Sequence, residues 1–221
     1  MRSTVNALPF ALPLFLVLTG MSGGSCQISF HDGADAPPEA GQFNGTLYGA
    51  CRVRPSTKLP DGQPKIYGYV LFRQDRPWAA VKVRFDLRGL PTASTQLRAI
   101  HVHQLGDLSR GCDATGGHFN PLGRAHPSHP GDFGNFAAQR GRIRELREAQ
   151  GATLFGALSV LGRAVVIHEG RDDLGTGGDA GSLLHGNAGR RLACCVIGIS
   201  SPSLWDRDVL HRTSRARPSS G

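Results

Sequence analysis

Short apolar runs alternate along this chain with stretches dense in glycine and proline. Val81, Val83, Phe85 and Leu87 point one way, and Lys82, Arg84 and Asp86 the other. That period of two marks a strand with one buried face. Six further segments read as strands from their apolar runs and bounding turn residues: 46–53, 65–73, 98–103, 141–147, 162–168 and 191–200. Two long stretches, 106–133 and 169–189, are too rich in Gly, Pro, His and Asp for regular structure. The pattern predicts an all-β domain, a Greek-key β-barrel or sandwich of about eight strands with two long functional loops. Composition agrees, with 30 glycines and 14 prolines against 7% aromatic residues in 221 positions. A chain of this length supports one domain, or at most two small ones.

The two ends stand apart. Arg2, an apolar run over 8–18 and a small-residue stretch over 20–25 have the layout of a secretory signal peptide. The run is too short for a comfortable membrane span. The expected division is a signal peptide over 1–24, a polar linker over 25–45, the domain over 46–200 and a basic tail over 201–221. Asn44, in the triplet Asn44, Gly45 and Thr46, is a glycosylation acceptor in a secreted chain. The formal charge is +8, and Arg207, Arg212, Arg215 and Arg217 contribute to it. Such a tail offers weak binding to heparin or heparan sulfate, against the simpler reading of a solvated end. No nucleic-acid motif is present.

Secretion permits disulfides. The five cysteines are Cys26, Cys51, Cys112, Cys194 and Cys195, and Cys26 at the cleavage region is the expected odd one. The remaining four allow three pairings. Cys194 and Cys195 are adjacent on a strand, so their side chains leave opposite faces and should find different partners.

The chemistry lies in the histidines. Six of the nine are His101, His103, His118, His126, His129 and His168, with Asp132 beside them. His101 and His103 are two apart on a strand and leave the same face. His126, His129 and Asp132 are three apart in a loop that Pro127, Pro130 and Gly131 keep from being a helix. Two imidazoles and a carboxylate, plus one more nitrogen, make a closed tetrahedral set suited to zinc. Neutral imidazole also suits copper.

These residues sit in five motifs: AIHVHQLGD at 99–107, GHFNP at 117–121, HPSHPGDFGN at 126–135, VVIHEGRDDLG at 165–175 and GNAGRRLAC at 186–194. In order and spacing, the chain resembles the copper–zinc superoxide dismutases, most closely their extracellular branch, from about Leu47 to about Trp205. The resemblance implies copper at His101, His103, His118 and His168, and zinc at His118, His126, His129 and Asp132. His118 would then bridge the metals and carry a proton during turnover. Arg191 would be the cation that receives superoxide, and Asp172 would accept hydrogen bonds from His101 and His126. The implied disulfides are Cys112–Cys194 and Cys51–Cys195. The implied activity is a two-step conversion of superoxide to dioxygen and hydrogen peroxide.

The chain departs from cytosolic relatives in the loop 173–189, where Ala180, Gly181 and Leu184 replace charges that guide superoxide. Residues 27–45 lack the amphipathic helix of tetrameric relatives, so a homodimer is expected. The alternative is a non-catalytic secreted metal-binding or copper-delivery domain on the same fold, and a polyanion-binding adhesion module is a third reading.

Overall fold

The computed structural model describes residues 45–93 and 95–206. The expected signal peptide, Cys26, Asn44 and residues 207–221 lie outside the described residues. Ten strands follow in order: β1 (Leu47–Pro55), β2 (Tyr67–Gln74), β3 (Val81–Arg88), β4 (Arg98–His103), β5 (Ser109–Cys112), β6 (Asp132–Phe136), β7 (Arg142–Ala149), β8 (Ala164–His168), β9 (Arg191–Val196) and β10 (Gly198–Ile199). A short helix, α1 (Ala180–His185), lies in the second long loop.

The main sheet runs β6-β4-β8-β9-β1-β2-β3-β7, with antiparallel neighbours throughout and β10 added on β1. β1 turns the corner, pairing with β2 over most of its length and with β9 at Arg54 and Pro55. The two ends of the path meet through one side chain. Arg147 of β7 donates to the carbonyls of Phe133 and Asn135 at 2.6 and 2.8 Å and covers the Phe136 ring. The sheet is therefore a nearly closed barrel.

The alternation on β3 is real: Val81, Val83, Phe85 and Leu87 are fully buried. Phe85 packs against Phe133 and Phe136 of β6, with ring centroids 5.3 and 4.6 Å apart, distances at which aromatic pairs attract. Arg84 differs from its expected solvent position. It is buried because residues 202–206 form a helical turn that lays Trp205 over its guanidinium, 4.2 Å from the ring centre, and takes a hydrogen bond at the Trp205 carbonyl. Residues 201–206, expected to belong to the tail, are part of the fold.

Two segments expected to be irregular are ordered. β5 and the start of β6 fall in the first long loop, and α1 falls in the second. α1 has six residues, too few to show a helical period. Its stop and start signals are nonetheless in the sequence. Asp179 accepts from the Ser182 backbone N–H at the N-terminus, and Gly186 takes the left-handed conformation at the C-terminus.

The adjacent cysteines divide as the strand pleat requires. Cys195 joins Cys51 inside the barrel, while Cys194 joins Cys112 beside Val166 on the outside. Cys112–Cys194 ties the first long loop to β9.

Candidate metal centre

β4 is buried on both faces. Ile100 and Val102 belong to the barrel core, while His101 and His103 lie beneath the long loops. They are therefore not exposed strand histidines. His168 comes from the end of β8, where a register shift against β9 turns the ladder. His118, His126 and His129 come from the first long loop, and Asp132 opens β6. Gly131 lets that loop close down. Its φ is +92°, and a Cβ there would sit 2.4 Å from Val102.

The seven residues form two groups that share His118. One is His101, His103, His118 and His168; the other is His118, His126, His129 and Asp132. Within each group the donor atoms lie within 4.8 Å of one another.

Outer partners decide which nitrogen of each ring faces inward. His101 Nε2 donates to Asp172 Oδ2 at 2.8 Å, and His126 Nε2 to Asp172 Oδ1 at 2.7 Å. His103 Nδ1 donates to the Gly116 carbonyl, His168 Nδ1 to that of Gly189, and His129 Nε2 to that of Arg124. Five rings thus have one N–H fixed on the outside and the other nitrogen directed inward. His118 alone presents a nitrogen to each group.

The inward atoms do not satisfy one another. His101 Nδ1, His118 Nε2, His126 Nδ1 and His129 Nδ1 are buried without a hydrogen-bond partner among the described residues. His126 Nδ1 and His129 Nδ1 lie 3.0 and 3.1 Å from Asp132 Oδ2, but not in hydrogen-bonding geometry. His103 Nε2 and His168 Nε2 are 3.2 Å apart. With both protons fixed outside, two lone pairs face each other there. Ligands about 2.0 Å from a tetrahedral ion are about 3.3 Å from one another, so these separations fit bound cations. Three nitrogens and a carboxylate suit zinc, and four imidazoles suit copper.

Electrostatics agree. Burial pushes His103 and His168 well below the usual imidazole range. It also takes His118 down to about 4, against the upward pull of Asp132. Burial opposes the charge on Asp132 and Asp172 too, but the nearness of His118 and His126 to Asp132, and the hydrogen bonds from His101 and His126 to Asp172, hold the two well below the carboxylate range. His126 is the exception. Burial would lower it, yet Asp132 and Asp172 together raise it to about 9.

A cleft of about 490 Å³ opens onto the first group. Arg191 lines it, with one guanidinium nitrogen held by the Cys112 carbonyl and Thr115 Oγ1 at 3.0 Å each. Arg190 points elsewhere, 3.9 Å from Glu169. Leu183 and Leu184 stand on the rim, 54% and 65% exposed.

A family model described as Copper/zinc superoxide dismutase (SODC) matches residues 66–197. The chain belongs to this family. It is 52% identical over 178 residues to the Extracellular superoxide dismutase (Cu-Zn) of Oryctolagus cuniculus, covering 80% of this chain and 73% of that one. It is 51% identical to the Homo sapiens protein of the same name, over 79% and 73% of the two chains. A Superoxide dismutase (Cu-Zn) of Kluyveromyces lactis is 40% identical over 63% of this chain and 94% of its own. Copper and zinc are the cofactors of the family.

Residues that the sequence reading passed over complete the centre. Asn135 clamps the Asp172 backbone from both sides, accepting from its N–H and donating to its carbonyl, both at 2.8 Å. Asn135 stood inside a quoted motif, but its partner 37 positions away gave no local signal. Gly186 is required by contact: a Cβ there would lie 2.0 Å from Asp172 Oδ1 and 2.6 Å from His126 Nε2. Asp173 ties the second loop together through Ser182 and Asn187.

Proposed function

We propose that this chain is a secreted copper–zinc superoxide dismutase. Copper would be held by His101, His103, His118 and His168, and zinc by His118, His126, His129 and Asp132. The observation that carries this reading is His118, the one ring in the centre with both nitrogens turned toward ligand groups. A copper-delivery or storage domain has no need for a bridge between two sites, or for a cation poised over one of them.

When bound, copper supplies one-electron exchange with superoxide, so that two superoxide anions and two protons become dioxygen and hydrogen peroxide, and zinc supplies fixed charge without changing oxidation state. The residues do the rest. Arg191 draws the anion into the cleft, and its guanidinium keeps free N–H groups to orient it. His118 Nε2 faces the cleft side and is the atom that takes up and gives back a proton, while Nδ1 stays on the zinc side. Asp172 holds His101 and His126 in one tautomer, so each keeps its inward lone pair through turnover.

Secretion is supported by the leader-like start of the chain and by the extracellular names of its relatives. A signal peptide over 1–24 and a linker over 25–45 precede the catalytic domain. No helix among the described residues is long and apolar enough to cross a membrane. A homodimer is supported by exposed Leu105, Val196 and Ile199, with Gly106 packed close to Val196. Weak heparin binding through the tail rests on its arginines.

The test is superoxide decay catalysed by the mature chain loaded with both metals. Catalysis that vanishes when copper is chelated and returns on reloading supports the reading. Bound copper without catalysis would turn it to the delivery domain.

A further inference from the structure

On β7 the inward positions are not all apolar. Ile143, Glu145, Arg147 and Ala149 stand opposite Leu87, Phe85, Val83 and Val81 of β3, and those four are fully buried. Ile143 and Ala149 are buried with them. Glu145 and Arg147 take the same face at the barrel edge, partly exposed and 2.7 Å apart. An apolar pair there would close the barrel without desolvating two charges. Neither residue belongs to a ligand group.

Arg147 is engaged on several sides at once. Its Nε and one Nη donate to Glu145 Oε2 at 2.9 and 2.7 Å. Its two Nη atoms donate to the carbonyls of Phe133 and Asn135 at 2.6 and 2.8 Å. Its flat face covers the Phe136 ring, 3.6 Å from the centre. Four of the five N–H groups of the guanidinium are thereby used. β6 and β7 end the sheet path and share no ladder among the described residues. The guanidinium fork supplies β6 with two hydrogen bonds of the kind a neighbouring strand would give. An inward charge that only deterred edge pairing would need no such fit.

The fork grips the segment that supports the metal centre. Asp132, of the zinc group, opens β6 one residue before Phe133. The Asn135 side chain clamps Asp172, accepting from its N–H and donating to its carbonyl at 2.8 Å each. Asp172 in turn accepts from His126 and His101 at 2.7 and 2.8 Å, and each metal group contains one of these rings. We infer that Arg147 is a positioning residue for both metals, acting through Asn135 and Asp172; the inference rests on the two-metal reading above. With the fork in place, the Asn135 backbone is fixed against β7, and its amide holds Asp172 at one setting. Without it, β6 is paired along one edge alone, and the clamp carries Asp172 with it as it shifts. Both carboxylate oxygens then lose their fixed distance to a ring N–H.

Proton exchange of the imidazole N–H groups tests this. It is read by NMR on the copper–zinc protein, reduced so that both ions are diamagnetic. In Arg147→Met the N–H groups of His101 and His126, bonded to Asp172, should exchange about tenfold faster, as the weakening of one hydrogen bond allows. Those of His103 and His168, bonded to the carbonyls of Gly116 and Gly189, should keep the parent rate. A uniform rise would mean that Arg147 only stabilises the barrel, and no rise would mean that it positions nothing; either result overturns the inference. Arg147→Lys keeps the charge and gives up the planar fork. It should show the same selective rise, smaller, and it decides the matter in the same way if the methionine variant does not fold. Copper and zinc affinity, read by chelator competition, should fall together in Arg147→Met by about tenfold, the low end for losing a partner that orients a ligand. A loss confined to one metal overturns the inference. A double-mutant cycle tests the path. In an Asn135→Ala background, Arg147→Met should add nothing to the exchange of His101 and His126, and additive effects would refute the route through Asn135. None of these readouts depends on turnover. Failure of the parent chain in superoxide decay would therefore overturn the enzymatic reading, not this one.

Discussion

Asp172→Asn should weaken copper more than zinc. Asp172 Oδ1 accepts two hydrogen bonds, from His126 Nε2 and from the Leu174 backbone N–H, both at 2.7 Å. Oδ2 accepts one, from His101 Nε2 at 2.8 Å. An asparagine has one carbonyl oxygen and one NH₂. It keeps most by putting the oxygen at the Oδ1 position, where two donors wait. Its NH₂ then meets a ring N–H of His101. One charge-assisted bond is lost, about 1.5–3 kcal/mol. His101 can relieve the clash by moving its proton to Nδ1, but Nδ1 is the atom directed at the copper group. Copper binding must reverse that shift. The expected cost is about 10- to 150-fold in copper affinity, at 1.4 kcal/mol per tenfold, in line with other residues that orient metal ligands. Zinc affinity should change by no more than a few-fold. Competition against a chromogenic chelator, one metal at a time, reads both. Equal losses, or a larger loss for zinc, would refute the argument that the donor count at each oxygen sets the amide's orientation.

Arg191→Ala should keep both metals and slow turnover by about tenfold or more, read from superoxide decay at matched metal content; unchanged turnover would remove the arginine from the mechanism. Gly186→Ala, which brings a Cβ against Asp172 Oδ1 and His126 Nε2, should disturb both metal groups at once, seen as lower zinc and copper content after purification. Zinc uptake should release close to one proton at neutral pH. His126 carries a proton up to about pH 9 in the metal-free centre, and zinc must displace it, so zinc affinity should rise as pH rises toward 9; titration calorimetry in buffers of different ionisation enthalpy measures it. Cys112→Ser/Cys194→Ser opens a bridge between residues 82 positions apart. It should cost about 4–5 kcal/mol by the chain-entropy argument. It should also loosen the Cys112 carbonyl that holds Arg191, lowering both the denaturation midpoint and turnover.

The barrel was legible where burial falls on alternate residues. β3 shows this best, because its four inward side chains are all large and apolar. β5 and β6 escaped notice because four or five residues with a glycine among them cannot display a period. Arg84 misled for a different reason. Alternation tells which face a residue takes but not whether another segment covers that face, and the cover here comes from Trp205, 121 positions away. The candidate ligands could be grouped from the sequence because their spacing is local: His101 with His103, and His126 with His129 and Asp132. The tautomers were not legible there, since their outer partners are carbonyls and a carboxylate brought in by tertiary structure. The motif register of the resemblance favours Arg191 over Arg190, and the fold supplies the physical reason: Arg191 is pinned over the cleft, while Arg190 lies beside Glu169.

The central claim is that His118 joins two metal sites into one catalytic centre. The direct measurement is the copper electron paramagnetic resonance spectrum of the chain loaded with copper in both sites, alongside its superoxide decay when loaded with copper and zinc. A bridging imidazolate predicts magnetic coupling between the two copper ions, lost in His118→Ala together with catalysis. Two uncoupled copper signals in the parent chain, or full catalysis in His118→Ala, would contradict the account.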